Sequence, residues 1–166
     1  MQTIPKQIAE IELIYKPACR LSDLPRVDCA EDAYMLFAAS WHADKIEFIE
    51  QFKVMLLNNA RKVLGICEIS SGGTRETIVD VKLVLAAAIK ASACNIIIAH
   101  NHPGGSLLPG MADMMITNKL VNAAALMDIT LLDHIIMTRE NFYSFYEQKK
   151  LQNERRMNKM NASQLT

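Results

Sequence analysis

No two of the four cysteines, Cys19, Cys29, Cys67 and Cys94, fall at a CxxC spacing. Widely scattered, they read as reduced, mostly packing thiols of a cytoplasmic protein rather than as a disulfide framework. No apolar run approaches the roughly 20 residues needed to span a bilayer, and the N-terminal residues lack a secretory h-region. An excess of one charge is missing too. Lys+Arg and Asp+Glu are both 18, so no global field draws the chain to nucleic acid or to a membrane. There is no internal repeat and no linker-like stretch between two cores. What is present is 166 residues with 51% hydrophobic and 22% charged content, enough for one folded domain with a real core.

Periodicity and turn signals predict alternating elements. A first strand is expected over residues 9–15, and a proline-marked connection over 16–25. Asp28-Cys29-Ala30-Glu31 has capping-box spacing, with Asp28 as the cap and a helix running to about residue 41. A long strand is expected over 46–58 with an antiparallel partner at 62–69, then a turn at 70–74. A helix over 79–93 leads into a strand at 95–100, followed by a helix over 111–127 and a strand over 130–137. Tyr143 to Phe145 should pack on the core. Three segments result: residues 1–29 as an N-terminal strand and connection, 30–148 as the domain, and 149–166 as a polar, basic tail.

Chemistry concentrates in His100-Asn101-His102-Pro103-Gly104-Gly105, at the end of the apolar run from Asn95 to Ala99. Strand side chains alternate, so His100 and His102 share a face, and Pro103 with the two glycines ends the strand where the imidazoles are presented. Asp113 follows at a helix start. Taken alone, two histidines at a strand end are either structural or metal ligands. With Asp113 they make a three-ligand set that leaves a position for water, as in a catalytic zinc site. Such a site wants a carboxylate to shuttle the water's proton. Alternation along 46–56 puts Glu50 alone among Ile46, Phe48, Phe52, Val54 and Leu56, where burial would raise its pKa. The other reading leaves Glu50 exposed at the start of that strand.

From about Ala30 to Phe145 the chain resembles the RadC-like branch of the JAB/MPN (JAMM) metalloprotease domains. The resemblance rests on His100-Asn101-His102-Pro103-Gly104-Gly105, Pro109 and Asp113, on Asp133-His134-Ile135-Ile136, on Tyr143-Ser144-Phe145, and on Ser70 to Thr74 with Asp80. It implies an α/β, three-layer, cytidine-deaminase-like fold with a mixed central sheet flanked by helices. It implies Zn(2+) held by His100, His102 and Asp113, with Glu50 as general acid/base in hydrolysis of a peptide or isopeptide bond. The family's serine, three residues before the aspartate, falls here on Gly110. That loses a hydrogen-bond donor to the tetrahedral intermediate, and Ser106 is the one hydroxyl nearby in the same loop.

Three function classes follow. The first is a JAMM-type zinc hydrolase. The second is a catalytically weak JAB/MPN adaptor in a DNA-processing assembly, since the family name carries an association with DNA repair. The third, a zinc deaminase, wants His-x-Glu and Pro-Cys-x-x-Cys, which this chain lacks. Nucleic acid has little support beyond the basic tail. His134 reads as a structural or metal-supporting residue rather than a ligand, and Asp133 as a candidate to orient an imidazole.

Overall fold

The computed structural model describes residues 19–73 and 77–151. The strand expected at 9–15, Arg75 and Glu76, and the tail beyond residue 151 lie outside the described residues. Five strands form one mixed sheet: β1 (Gln51–Leu57), β2 (Val63–Ser71), β3 (Asn95–Asn101), β4 (Thr130–Met137) and β5 (Phe142–Ser144), in the order β2-β1-β3-β4-β5. Three helices flank it: α1 (Ala30–Ser40), α2 (Val81–Lys90) and α3 (Met111–Ala125). β1 pairs antiparallel with both β2 and β3, and β4 pairs antiparallel with β5. β3 and β4 are parallel, so the chain must cross over between them, and α3 makes that crossing.

β3 lies in the middle of the sheet, and its apolar run serves two faces at once. Ile96 and Ile98, with Phe52, Val54 and Leu56 of β1, pack against Val84 and Ala88 of α2 and Leu120 and Ala124 of α3. Ile97 and Ala99, with Met55 and Leu57, pack against Ala33 and Phe37 of α1. Three layers result. This is the α/β architecture the resemblance implies, with α2 and α3 on one side and α1 on the other.

Several boundaries differ from the expected ones, for local reasons. The N-cap of α1 is Cys29 rather than Asp28: the Asp32 carboxylate, not Glu31, accepts hydrogen bonds from the amides of Asp28 (2.8 Å) and Cys29 (3.1 Å). α2 starts at Val81 because the Asp80 carboxylate caps it, accepting from the Lys82 amide at 2.9 Å. β2 runs on through Ser70 and Ser71, which pair with Phe52 and Gln51 instead of turning. The largest difference is at β1, which begins at Gln51 and not at residue 46. Lys45 to Ile49 forms turns, with the Lys45 carbonyl accepting from the amides of Phe48 and Ile49.

Candidate metal centre

β3 delivers His100 at its penultimate position, and His102 follows one residue past its end, still joined to the sheet by its amide to the Met137 carbonyl at 3.0 Å. The chain then turns at Pro103 and Gly104, and the Gly105 amide closes on the His102 carbonyl at 2.9 Å. Gly105 has φ +78°, a left-handed conformation that glycine adopts at no steric cost. The loop returns to α3, whose N-cap is Gly110 and whose third residue is Asp113. The Asp113 carboxylate accepts from the Gly110 amide at 2.7 Å, which fixes its place in the first turn and complements the helix dipole.

Strand end and helix start thus bring three donors together. His100 Nε2 lies 2.9 Å from His102 Nε2 and 3.1 Å from Asp113 Oδ1, and His102 Nε2 lies 3.6 Å from Asp113 Oδ2. His102 Nδ1 donates to the Ser106 carbonyl at 2.7 Å, so the neutral ring presents the lone pair of Nε2 to the cluster. Two imidazole nitrogens and a carboxylate, all within 4.8 Å of one another, are a donor set that fits a metal ion. Burial opposes the charge on Asp113, yet its contacts with His100, His102 and the Gly110 amide hold the carboxyl well below the usual carboxylate range. Asp113 in turn raises the His102 imidazole above its ordinary value.

The cluster forms the floor of an open cleft of about 430 Å³, whose walls include Glu50, Phe52, Gly110 and Ile116. Glu50 is 9% exposed. Burial pushes its carboxyl up, against the pull of His100 and His102. Glu50 does not reach the cleft by strand alternation, since residues 46 and 48 are outside β1. Its backbone is clamped instead: its amide donates to the Gly73 carbonyl at 3.0 Å and its carbonyl accepts from the Gly72 amide at 2.8 Å.

Asn101, between the two histidines, completes that clamp. Its side chain is fully buried, donates to the carbonyls of Ile46 (2.7 Å) and Ile49 (2.8 Å), and accepts from the Gln51 amide at 2.8 Å. This capture of two carbonyls is why the chain turns where the apolar pattern suggested a strand. Asn101→Ala is expected to destabilise the fold by about 1–3 kcal/mol for each buried backbone group it leaves unpaired. Chemical denaturation measures this, and a loss below about 1 kcal/mol would show that the clamp is replaceable.

The remaining sequence candidates take distinct places. Ser106 contributes its carbonyl to His102, while its hydroxyl accepts from the Leu108 amide at 3.3 Å. His134 is fully buried, and its Nε2 lies 2.8 Å from His100 Nδ1. Asp133 lies away from the metal cluster: its carboxylate accepts from the Ser144 hydroxyl and from the amides of His134 and Tyr146, tying β5 and its exit to β4. One buried polar residue at the site escaped the sequence reading, Thr117, whose hydroxyl oxygen is 2.6 Å from His134 Nδ1. Its signal was present, a threonine one helical turn after Asp113, but a mid-helix threonine has many ordinary uses.

Comparison with known proteins agrees with this arrangement. Residues 27–151 match the family model described as RadC-like JAB domain. The chain is 42% identical over 99 residues to a UPF0758 protein of Flavobacterium johnsoniae, covering 60% of this chain and 43% of that one. It is 36% identical over 117 residues to a UPF0758 protein of Thermosynechococcus vestitus, covering 70% of this chain and 47% of that one. A UPF0758 protein of Neisseria meningitidis is 37% identical over 99 residues, 60% of this chain and 44% of its own length. The chain therefore spans less than half the length of these curated relatives. With the match covering the sheet, all three helices and the whole metal cluster, the chain belongs to the RadC-like JAB domain family.

Proposed function

We propose that this domain is a zinc-dependent hydrolase of peptide or isopeptide bonds, with His100, His102 and Asp113 as the metal ligands and Glu50 as general acid/base. The observation that carries the reading is the convergence of two imidazole nitrogens and one carboxylate in a cleft that also receives a buried glutamate. The donor set suits zinc, two nitrogens and a carboxylate oxygen with the fourth side open. A zinc ion held there would supply Lewis acidity toward a carbonyl and toward water. The chain's own part is to move the proton. The Glu50 carboxylate takes it from the attacking water and passes it to the leaving amine, a task that a raised pKa suits. Leu108 and Met111, 78% and 77% exposed at the cleft's rim, offer apolar surface to a polypeptide.

Gly110 favours a second reading, an adaptor with weak turnover, because this chain has no side chain where the family pattern has a serine. An association with DNA repair has only the family name behind it, and the balanced charge of the chain adds nothing to it.

Metal analysis of the purified chain tests the proposal. Wild type is expected to carry about one zinc per chain, with His100→Ala and Asp113→Ala losing it. Wild type holding no more metal than the folded variants would overturn the assignment.

A further inference from the structure

His134 lines no part of the cleft, yet it is a fully enclosed polar group beside the site. Its ring stacks on Phe145 with centroids 4.6 Å apart and lies edge-on to Phe52 at 6.1 Å, with no exposure to solvent. A ring buried among aromatics needs partners for both nitrogens. Nε2 meets His100 Nδ1 at 2.8 Å, and Nδ1 meets the Thr117 hydroxyl at 2.6 Å. That hydroxyl lies 2.5 Å from the Asp113 carbonyl, one helical turn back.

The order of protons along this chain follows from what each atom is able to do. The Asp113 carbonyl only accepts, so it takes the single proton of the Thr117 hydroxyl. The hydroxyl oxygen is then left as an acceptor, and His134 Nδ1 must carry the N–H that meets it. Enclosed by two phenyl rings, His134 is neutral, so its Nε2 is bare and accepts. His100 Nδ1 therefore carries its ring's proton, and His100 Nε2 is left with the lone pair that faces His102 and Asp113.

We infer that Thr117 and His134 form a buried relay that locks His100 in its metal-binding tautomer, with Thr117 setting the direction of every hydrogen bond in it. Neither residue touches metal or substrate, and both are positioning residues. The relay starts and ends on the site, since Asp113 supplies a ligand through its carboxylate and the relay's last acceptor through its carbonyl. The parallel register of β3 and β4 makes this contact. Ile98 pairs with His134 and His100 with Ile136, so His134 sits on the face of His100 and one step behind it. Asp113 and Thr117 stand at i and i+4 of α3, the spacing at which a threonine hydroxyl bonds the carbonyl of the preceding turn. Partners of this kind typically matter by 10–100-fold in metal affinity.

This inference rests on the metal-site reading above, and its test separates the two. Zinc affinity of the full chain is measured by competition with a chromophoric chelator, for wild type, Thr117→Val and Thr117→Ser. Valine keeps the shape and removes the hydroxyl, and its affinity is expected to fall about 10- to 100-fold. Serine restores the hydroxyl and is expected to restore wild-type affinity. NMR of the imidazole nitrogens in metal-free wild type supplies a readout independent of zinc, with His100 expected as the Nδ1–H tautomer and a mixture of tautomers in Thr117→Val. A His100 bare at Nδ1 in metal-free wild type would overturn the relay, as would zinc binding by folded Thr117→Val equal to wild type. A wild type that binds no zinc would sink the metal site alone, and the tautomer measurement would still decide the relay.

Discussion

Gly110→Ser is expected to accelerate hydrolysis of a peptide or isopeptide substrate about a hundred- to a thousand-fold over wild type, the usual worth of one donor to a tetrahedral intermediate. The structure leaves room for it. A Cβ added at Gly110 meets Asp113 Oδ2 at 3.5 Å, an ordinary contact, and beyond its own chain neighbours meets no other atom within 4 Å. The backbone there is extended, φ −81° and ψ 174°, which any residue adopts. Position 110 is also the N-cap of α3, where serine is slightly better than glycine. The change should therefore add a hydroxyl at the wall of the cleft while sparing the fold and the ligands. Comparing single-turnover rates of zinc-loaded wild type and variant on a panel of peptide and isopeptide-linked substrates is the measurement. Equal rates in both, with zinc bound, would favour the adaptor reading.

Glu50→Gln, made in the Gly110→Ser protein, is expected to remove about two to four orders of magnitude of that rate with zinc content unchanged, because general acid–base catalysis contributes about 10²–10⁴-fold. Glutamine keeps the size and loses the proton-accepting oxygen. Since Gly72, Gly73 and Asn101 hold this segment through backbone groups and not through the carboxylate, the substitution should leave the backbone where it is. The paired readout matters. A rate loss with zinc retained assigns Glu50 to proton transfer, whereas a rate loss with zinc lost would assign it to holding the metal. A fall of less than about tenfold would mean that another group carries the proton.

The three metal-ligand candidates were legible because their relation is short in sequence. A two-residue spacing on a strand and a carboxylate in the first turn of the next helix are local patterns, and the structure joins them through one loop. The layers were legible too, since the continuous run Ile96-Ile97-Ile98-Ala99 demands cover on both faces. The start of β1 was not. Ile46, Phe48 and Glu50 alternate like strand residues, but Asn101, more than fifty positions away, captures the carbonyls of Ile46 and Ile49 and bends the segment into turns. Glu50 thus lies in the cleft for a reason that alternation did not contain. His134 was legible as a supporting residue, but Thr117 and its contact with His134 were hidden for the same physical reason. Their contact depends on the β3–β4 register and on where α3 lies across the sheet, both long-range facts. Asp133 and His134, adjacent in sequence, go to opposite sides of β4, one to Ser144 and Tyr146 and the other to His100.

Asn101 has a mechanical consequence. His100 and His102 bring their nitrogens to the candidate metal position, and the residue between them grips the backbone on both sides of Glu50. His100, Asn101 and His102, successive residues at the end of β3, therefore act as a jig that sets the spacing between the candidate metal position and Glu50. The apolar rim residues Leu108 and Met111 take no part in that clamp. A slip of β3 by one residue, in contrast, would displace both parts together, so the site fails as a unit instead of wearing away piece by piece.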